Sequence, residues 1–224
     1  MTQAIGPRKV QETGHDPSPK DACHAAFALR IIQAVMKTEN VARKTGLREK
    51  VQLMSASEME RTLVRLAHEI VEKNGGVNNL GLVGIRRRGV PLAQRLSKLI
   101  GRIEDITIPV GTLDITFYRD DLSTLGPKPV VQELEIGFPI QEKNIILVDD
   151  VLFTGRTIRA ALDALFSHGR PARVQLCVLI DRGHRELPIE AAFIGRNVQT
   201  TMNEVIEVKL TEVDSAEKVM LMEK

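Results

Sequence analysis

Hydrophobic positions recur at helical spacing directly after residue 55. Ser55 and Ser57 are each followed by a glutamate three residues later, the capping box that opens many helices. Apolar residues then recur at intervals of three or four, until Gly75 and Gly76 end the pattern. The apolar positions are Met59, Leu63, Leu66, Ala67, Ile70 and Val71. The pattern predicts an amphipathic helix that packs one face on a core.

Short apolar runs alternate with further helical patterns along the rest of the chain. The predicted strands cover residues 80–83, 106–115, 144–148 and 174–180, and the further predicted helices cover residues 90–100 and 157–165. This alternation predicts an α/β fold with a mainly parallel central sheet flanked by helices. In such sheets, ligands bind beyond the carboxyl ends of the strands.

The first 50 residues differ in character from the rest. Residues 1–20 are rich in Gly, Pro, Thr, Asp and Lys, and only a weak helical stripe follows, at Phe27, Ile31, Ala34 and Val35. We therefore expect residues 1–50 to be an N-terminal extension, disordered or weakly helical, and residues 51–224 to form the domain. A translation start at Met36 or Met54 would be an alternative explanation of the extension.

Composition narrows the classes of function. With 43% hydrophobic residues, the 224-residue chain can bury one sizeable core, and 31 basic against 29 acidic residues exclude a global polycation. Aromatic residues make up 3%, too few for a base-stacking platform. Two cysteines, Cys23 and Cys177, favour a reducing cytoplasm, and no apolar stretch reaches the roughly 18 residues of a membrane span.

The segment from Ile145 to Thr157 combines a buried strand, two adjacent carboxylates and a glycine-containing turn into a helix. We expect the carboxylates, Asp149 and Asp150, to end the strand. Backbone N–H groups at the helix start and the hydroxyls of nearby threonines suit a phosphate. The carboxylates would repel that phosphate unless they accept hydrogen bonds from ribose hydroxyls, with Mg²⁺ offsetting the charge. The alternative is a strand edge with an aspartate helix cap.

This segment resembles the signature with which type I phosphoribosyltransferases bind 5-phosphoribosyl-1-pyrophosphate (PRPP). Residues 82–89, 114–122 and 181–189 are similar to motifs of the PyrR family of bifunctional pyrimidine-operon regulators and uracil phosphoribosyltransferases. The resemblance runs from about Val51 to Val213. It implies a type I phosphoribosyltransferase fold with a small C-terminal hood, and an Mg²⁺-dependent enzyme that converts uracil and PRPP to UMP and pyrophosphate. It also implies a homo-oligomer and pyrimidine-responsive binding of operon leader mRNA, with UMP or UTP as the signal.

The resemblance also assigns roles to residues. Asp149 and Asp150 face the ribose hydroxyls and are catalytic candidates together with Arg119, which lies on a loop expected to close over PRPP. Mg²⁺ is expected to be bound mainly through PRPP, with Asp149 and Asp150 as possible protein ligands. The PRPP-binding segment comprises Ile145, Ile146, Leu147, Val148, Asp149, Asp150, Val151, Leu152, Phe153, Thr154, Gly155, Arg156 and Thr157. The pyrophosphate loop contains Arg87, Arg88 and Gly89, and the base region contains Asp181 and Arg182.

Three alternatives remain open from the sequence. Consecutive arginines suit a polyanion because the guanidinium fork matches phosphate oxygens, although an arginine run is more often a solvated surface. The substrate base could be guanine or hypoxanthine, since backbone readout of a base leaves little side-chain signature. The chain could also be an RNA-binding attenuator with little catalytic turnover.

The family's RNA face is only partly present. His68, Arg185 and Arg196 keep its chemistry, but Val64 stands at a threonine position and Glu190 at a basic position. Replacing a phosphate-contacting cation by an anion removes an attraction and adds a repulsion. We therefore hypothesise that attenuation-type RNA binding is weak or absent while enzymatic activity is retained.

Overall fold

The computed structural model describes residues 47–115 and 134–224. Within them, the chain from Arg48 to Lys224 forms one compact unit. The first strand, β1 (Arg48–Ser55), begins three residues before the expected boundary at Val51. Residues 1–46 and 116–133, and with them Arg119 and the loop expected to close over PRPP, lie outside the described residues.

Within the described residues, the central sheet has six strands, and five of them are parallel. These five are β2 (Leu80–Ile85), β3 (Val110–Leu113), β5 (Asn144–Leu152), β6 (Arg173–Asp181) and β7 (Phe193–Asn197). The order is β4-β3-β2-β5-β6-β7, and the short β4 (Leu134–Glu135) runs antiparallel to β3 at one edge. The prediction of a mainly parallel sheet is confirmed. The strand predicted over residues 106–115 is shorter, because the chain only reaches its partner β2 at Val110.

In the part of the chain that is described, three long helices flank this sheet: α1 (Ala56–Asn74), α2 (Gly89–Glu104) and α3 (Arg156–Ser167). The predicted capping box at the start of α1 is present, since Glu58 N–H donates to Ser55 Oγ over 3.4 Å and Ser55 N–H donates to Glu58 Oε2 over 2.8 Å. Gly75 ends the helix in the left-handed conformation, with φ of 63°. Five of the six predicted apolar positions are buried, and Val71 is partly buried.

A smaller antiparallel sheet forms the predicted hood. It contains β8 (Glu204–Lys209) and β9 (Lys218–Glu223), connected through the short helix α4 (Thr211–Asp214), and β1 pairs with the outer edge of β9. Lys50 on β1 donates to Glu204 on β8 over 2.7 Å. The hood therefore includes a strand from the start of the domain as well as its C-terminal end.

The core lies on both faces of the central sheet. Alternate residues of β5 point to opposite faces, so that Ile146 and Val148 pack with α1 and α2, while Ile145 and Leu147 pack with α3. No helix in the part of the chain that the structure describes is long and apolar enough to cross a membrane.

Candidate active site

Strand β5 places the two adjacent carboxylates at the carboxyl edge of the sheet. It pairs with β2 only as far as Gly84 and Val148, but it continues along β6 to the pair Leu152 and Asp181. The expectation that the carboxylates end the strand is therefore wrong, because β6 is long enough to supply partners beyond them. Asp149 is 7% exposed even though it lies past the last residue of β5 that pairs with β2.

The protein leaves the two carboxylates largely unneutralised. Asp149 Oδ1 accepts from the N–H of Asp150 over 3.0 Å, and Asp150 Oδ1 accepts from the N–H of Val151 over 2.9 Å. Burial, together with the neighbouring charge of Asp150, raises the pKa of Asp149 well above its usual range. Burial also raises the pKa of Asp150, although the Arg88 guanidinium opposes that shift. Hydroxyl donors or a cation would stabilise both charged forms.

The turn after β5 exposes the start of α3. Gly155 precedes the helix with φ of 93° and has no side chain to cap the first turn, and Thr154 Oγ1 accepts from the N–H of Arg156 over a long 3.4 Å. The carbonyl oxygen of Thr154 accepts from the N–H groups of Glu186 and Leu187 over 3.0 and 3.2 Å, which fixes the turn against the following segment. Backbone N–H groups at a helix start of this kind suit a phosphate group.

Two glycines bring the arginine loop close to β5. A Cβ atom on Gly89 would lie 2.3 Å from the carbonyl oxygen of Val148, and one on Gly84 would lie 2.5 Å from Cα of Val90. The loop of residues 86–88, which contains a cis peptide bond between Arg86 and Arg87, can therefore pass directly beside Asp149. Only glycine at these positions permits this approach.

The arginine loop and the acidic strand end face one cleft of about 620 Å³. Its lining combines cationic, anionic and hydroxyl side chains: Arg86, Arg87, Arg88, Asp114, Ile115, Asp149, Asp150, Val151 and Thr157. The structure thus brings together the predicted pyrophosphate loop, the acidic pair and the end of the PRPP-binding segment. A ligand that carries both hydroxyls and phosphate groups would match this mixture.

The three arginines of the loop differ in their protein partners. Arg86 lies 3.4 Å from Asp114 and 3.7 Å from Glu135, whereas Arg88 makes two bonds to Asp214, of 3.0 Å from Nε and 2.8 Å from a terminal nitrogen. No ion pair involves Arg87 within the described ranges. Sequence reasoning missed Asp214, because it lies 126 residues after Arg88 and carries no motif.

The side chains of the predicted base region, Asp181 and Arg182, bond to other groups of the protein. Arg182 is 6% exposed, donates to Thr200 Oγ1 and to the carbonyl oxygen of Thr201 over 3.0 Å each, and lies 4.1 Å above the ring centre of Phe153. Asp181 bonds to Arg185 and accepts from the N–H of Gly183 over 2.9 Å. These side chains hold the backbone of the base region in place.

The residues of the candidate RNA face differ in exposure. His68 on α1 is exposed, and so is Arg196 on β7, which donates to the carbonyl oxygen of Leu53. Arg185 is partly buried and donates to the carbonyl oxygens of Phe153 and Ile189 over 2.8 and 2.9 Å. The guanidinium of Arg185 is therefore committed to the turn after β5. Glu190 is exposed, and Val64 is 37% exposed on α1.

Comparison with known proteins agrees with this fold and site. The sequence profile described as "Phosphoribosyl transferase domain" matches residues 52–212, and the chain is a phosphoribosyltransferase. The "Bifunctional protein PyrR" of Thermus aquaticus is 57% identical over 178 residues, covering 80% of this chain and 98% of that protein. The protein of the same name from Pelotomaculum thermopropionicum is 56% identical over 176 residues, covering 79% and 97%. The chain belongs to the PyrR family.

Solved structures confirm the fold. The hypoxanthine phosphoribosyltransferase of Trypanosoma cruzi superimposes with a TM-score of 0.61 at 15% identity, covering 78% of this chain and 97% of that one. A hypoxanthine-guanine phosphoribosyltransferase from Bacillus anthracis gives a TM-score of 0.60 at 19% identity, covering 77% and 98%. At such low identity, the likeness establishes the type I phosphoribosyltransferase fold and gives no information on the base.

Proposed function

We propose that this protein is a uracil phosphoribosyltransferase, which converts uracil and PRPP to UMP and pyrophosphate. The observation that supports it best is the arrangement around the cleft. A largely unneutralised acidic pair lies between the start of α3 and an arginine loop, as a ribose lies between its 5-phosphate and its pyrophosphate. Membership of the PyrR family supports uracil as the base.

In this proposal each part of the cleft binds one part of PRPP. The ribose hydroxyls donate to Asp149 and Asp150, the 5-phosphate accepts from the N–H groups at the start of α3, and the pyrophosphate lies against Arg87 and Arg88. As the bond between C1 and the pyrophosphate oxygen breaks, a bond forms between C1 and N1 of uracil, which loses its proton. Negative charge grows on the leaving pyrophosphate, and fixed guanidinium groups stabilise it.

We propose Mg²⁺ as the cofactor, bound mainly through PRPP. The described residues contain no group of three or more His, Cys, Asp or Glu side chains that could hold a metal by themselves. The two buried carboxylates fit a partial coordination shell, because Mg²⁺ commonly takes one or two carboxylates along with substrate phosphates. When bound, Mg²⁺ would supply positive charge beside the pyrophosphate oxygens. Arg119 remains a proposed clamp on the same pyrophosphate.

An assay with radiolabelled bases tests the substrate. Uracil, guanine and hypoxanthine are each incubated with PRPP and Mg²⁺, and the labelled nucleotide is separated from the base. We expect UMP from uracil and at least a hundredfold less nucleotide from either purine, the order of selectivity seen when a site pairs polar groups with one base. Nucleotide formed chiefly from a purine would overturn the proposed base.

A pyrimidine-responsive, RNA-binding regulator is the second candidate function. The bifunctional relatives, which match four fifths of the chain, favour it, and exposed His68 and Arg196 are its candidate contacts. Because Arg185 is committed to internal partners and Glu190 is an anion, we propose that the RNA contact is weak.

Filter binding to a pyrimidine-operon leader stem-loop tests this proposal. We expect weak binding by the unaltered protein and tighter binding by Glu190→Arg, with a salt dependence that steepens by about one unit. Glu104→Arg, an equal charge reversal at the end of α2, is the matched control and should change little. Nanomolar, uridine-nucleotide-dependent binding by the unaltered protein would contradict the proposed weakness.

We further propose a cytoplasmic homo-oligomer, a dimer or larger. The first helix and residues 182–196 are the candidate shared face, and Val64 gives α1 an exposed apolar position there. Light scattering coupled to size-exclusion chromatography tests this, and a monomer at micromolar concentration would contradict it.

A further inference from the structure

One face of α2 is attached to the hood by two arginines. Arg88 and Arg95 are seven residues apart and therefore lie on the same side of the helix. Arg95 donates to Glu212 over 2.8 and 2.6 Å and to Glu217 over 2.5 and 3.0 Å. Arg88 makes its two bonds to Asp214. The hood segment of residues 211–217 thus fixes the helix that begins at the arginine loop.

Asp214 is itself held firmly in the hood. Its Oδ2 accepts from the N–H of Leu210 over 3.1 Å in addition to Arg88 Nε, and its own N–H donates to the carbonyl oxygen of Leu210 over 2.7 Å. Its side chain is only 20% exposed. A carboxylate fixed in this way can orient the guanidinium that it binds, since the paired bonds define both position and plane.

Arg88 also faces the cleft, where it differs from Arg95. It lines the cleft with Asp149 and Asp150, and the charge of Asp150 attracts it. Without Asp214, the guanidinium would be drawn toward this acidic pair and would neutralise it. The bidentate bond thus keeps a cation on the loop side of the cleft and leaves the carboxylates available to the ribose.

We propose that Asp214 is a positioning residue of the pyrophosphate subsite, acting through Arg88. The inference rests on the proposed function, in which the pyrophosphate of PRPP lies against this loop. Asp214 touches no reacting atom, and its effect is to hold the Arg88 guanidinium in the orientation that meets the pyrophosphate oxygens.

Calorimetric titration with PRPP in the presence of Mg²⁺ tests the proposal directly. Asp214→Asn should raise the Kd for PRPP about tenfold, the order expected when a charge-assisted hydrogen bond beside a ligand is lost. Glu217→Gln is the matched control, because it weakens the Arg95 contact from the same hood segment without touching the cleft. It should lower the melting temperature comparably and change the Kd less than twofold.

A double-variant comparison separates positioning from general damage. In an Arg88→Met background, Asp214→Asn should raise the Kd for PRPP no further, because Asp214 then has no guanidinium to orient. Equal Kd changes in Asp214→Asn and Glu217→Gln, or a further tenfold rise in the Arg88→Met background, would overturn the proposal. Because PRPP binding is measured without a base, an absence of UMP formation by the unaltered protein would contradict the proposed substrate and leave this comparison intact.

Discussion

The carboxyl ends of β5 and β6 lie side by side, and both bear charged residues, but the protein satisfies these charges differently. Near the carboxyl end of β5, Asp149 and Asp150 each accept one backbone N–H from the next residue. At the end of β6, Asp181 is paired with Arg185 and accepts a further backbone bond, and Arg182 bonds to two threonines and stacks on Phe153. One strand end keeps its charges uncompensated, and the other compensates them internally.

This difference distinguishes residues that bind a ligand, on β5, from residues that stabilise the surrounding backbone, at the end of β6. A buried carboxylate with a raised pKa destabilises the folded protein at neutral pH, so such a group is typical of a site that a ligand completes. A compensated cluster instead stabilises the backbone that carries the site. The Arg185 guanidinium shows this second role, because it bonds to the carbonyl oxygen of Phe153 in the turn that leads to α3.

The largest expected effect is on catalysis at the uncompensated end. Asp150→Asn should keep the fold and lower kcat with PRPP and uracil about a hundredfold, the order seen when one positioned electrostatic group is lost. Asp163→Asn is the matched control, since Asp163 is 58% exposed on α3 and pairs there with Arg159. Steady-state kinetics of the two variants decide the matter, and normal kinetics in Asp150→Asn would remove the acidic pair from the proposed site.

At the compensated end, beside β6, a substitution should lower the stability of the protein. Arg185→Ala removes a donor from the carboxylate of Asp181 and from three carbonyl oxygens, so the free energy of unfolding should fall by about 2–3 kcal/mol. Arg159→Ala, which breaks an exposed pair on α3, should change it by less than about 0.5 kcal/mol. Urea unfolding measures both. Equal losses in the two variants would show that the β6 cluster does not stabilise the turn.

The contrast between the two strand ends could be predicted only in part. The segment from Ile145 to Thr157 is contiguous, so its strand, acidic pair and turn were predictable from local sequence, as was the capped helix α1. The strand's extension beyond Val148 was not, because it depends on the length of β6. Asp214 was also unpredictable, since its partner Arg88 lies far away in the chain and the pair depends on tertiary packing.

Replacing Asp149 should have a smaller effect on stability, and this effect should depend on pH. Since the pKa of Asp149 is raised above its ordinary value of 3.8, ionising this group costs the folded protein stability as the pH rises through the raised pKa. Asp149→Asn should therefore increase the free energy of unfolding by about 1–2 kcal/mol at neutral pH and have little effect near pH 4, where the native carboxyl is protonated. Urea titrations at the two pH values check it, and an equal gain at both would mean that the charge is not responsible.

The smallest effect is expected from deleting the sequence before β1. Residues 1–46 are polar with weak periodicity, so their deletion should remove little buried apolar surface and leave both the melting temperature and UMP formation nearly unchanged. Deleting residues 1–50 is the matched comparison, because it also removes the start of β1 and Lys50, whose bond lowers the pKa of Glu204 to about 2. A carboxyl with a lowered pKa stabilises the folded state at pH values above its ordinary pKa of 4.5, and this contribution is lost as the pH falls through about 2.

The deletion of residues 1–50 should therefore lower the melting temperature at pH 7, and the part of that loss due to the Lys50 bond should disappear toward pH 2. Differential scanning calorimetry of both deletions measures this, and an inactive or insoluble protein lacking residues 1–46 would show that these residues are a structural part of the domain.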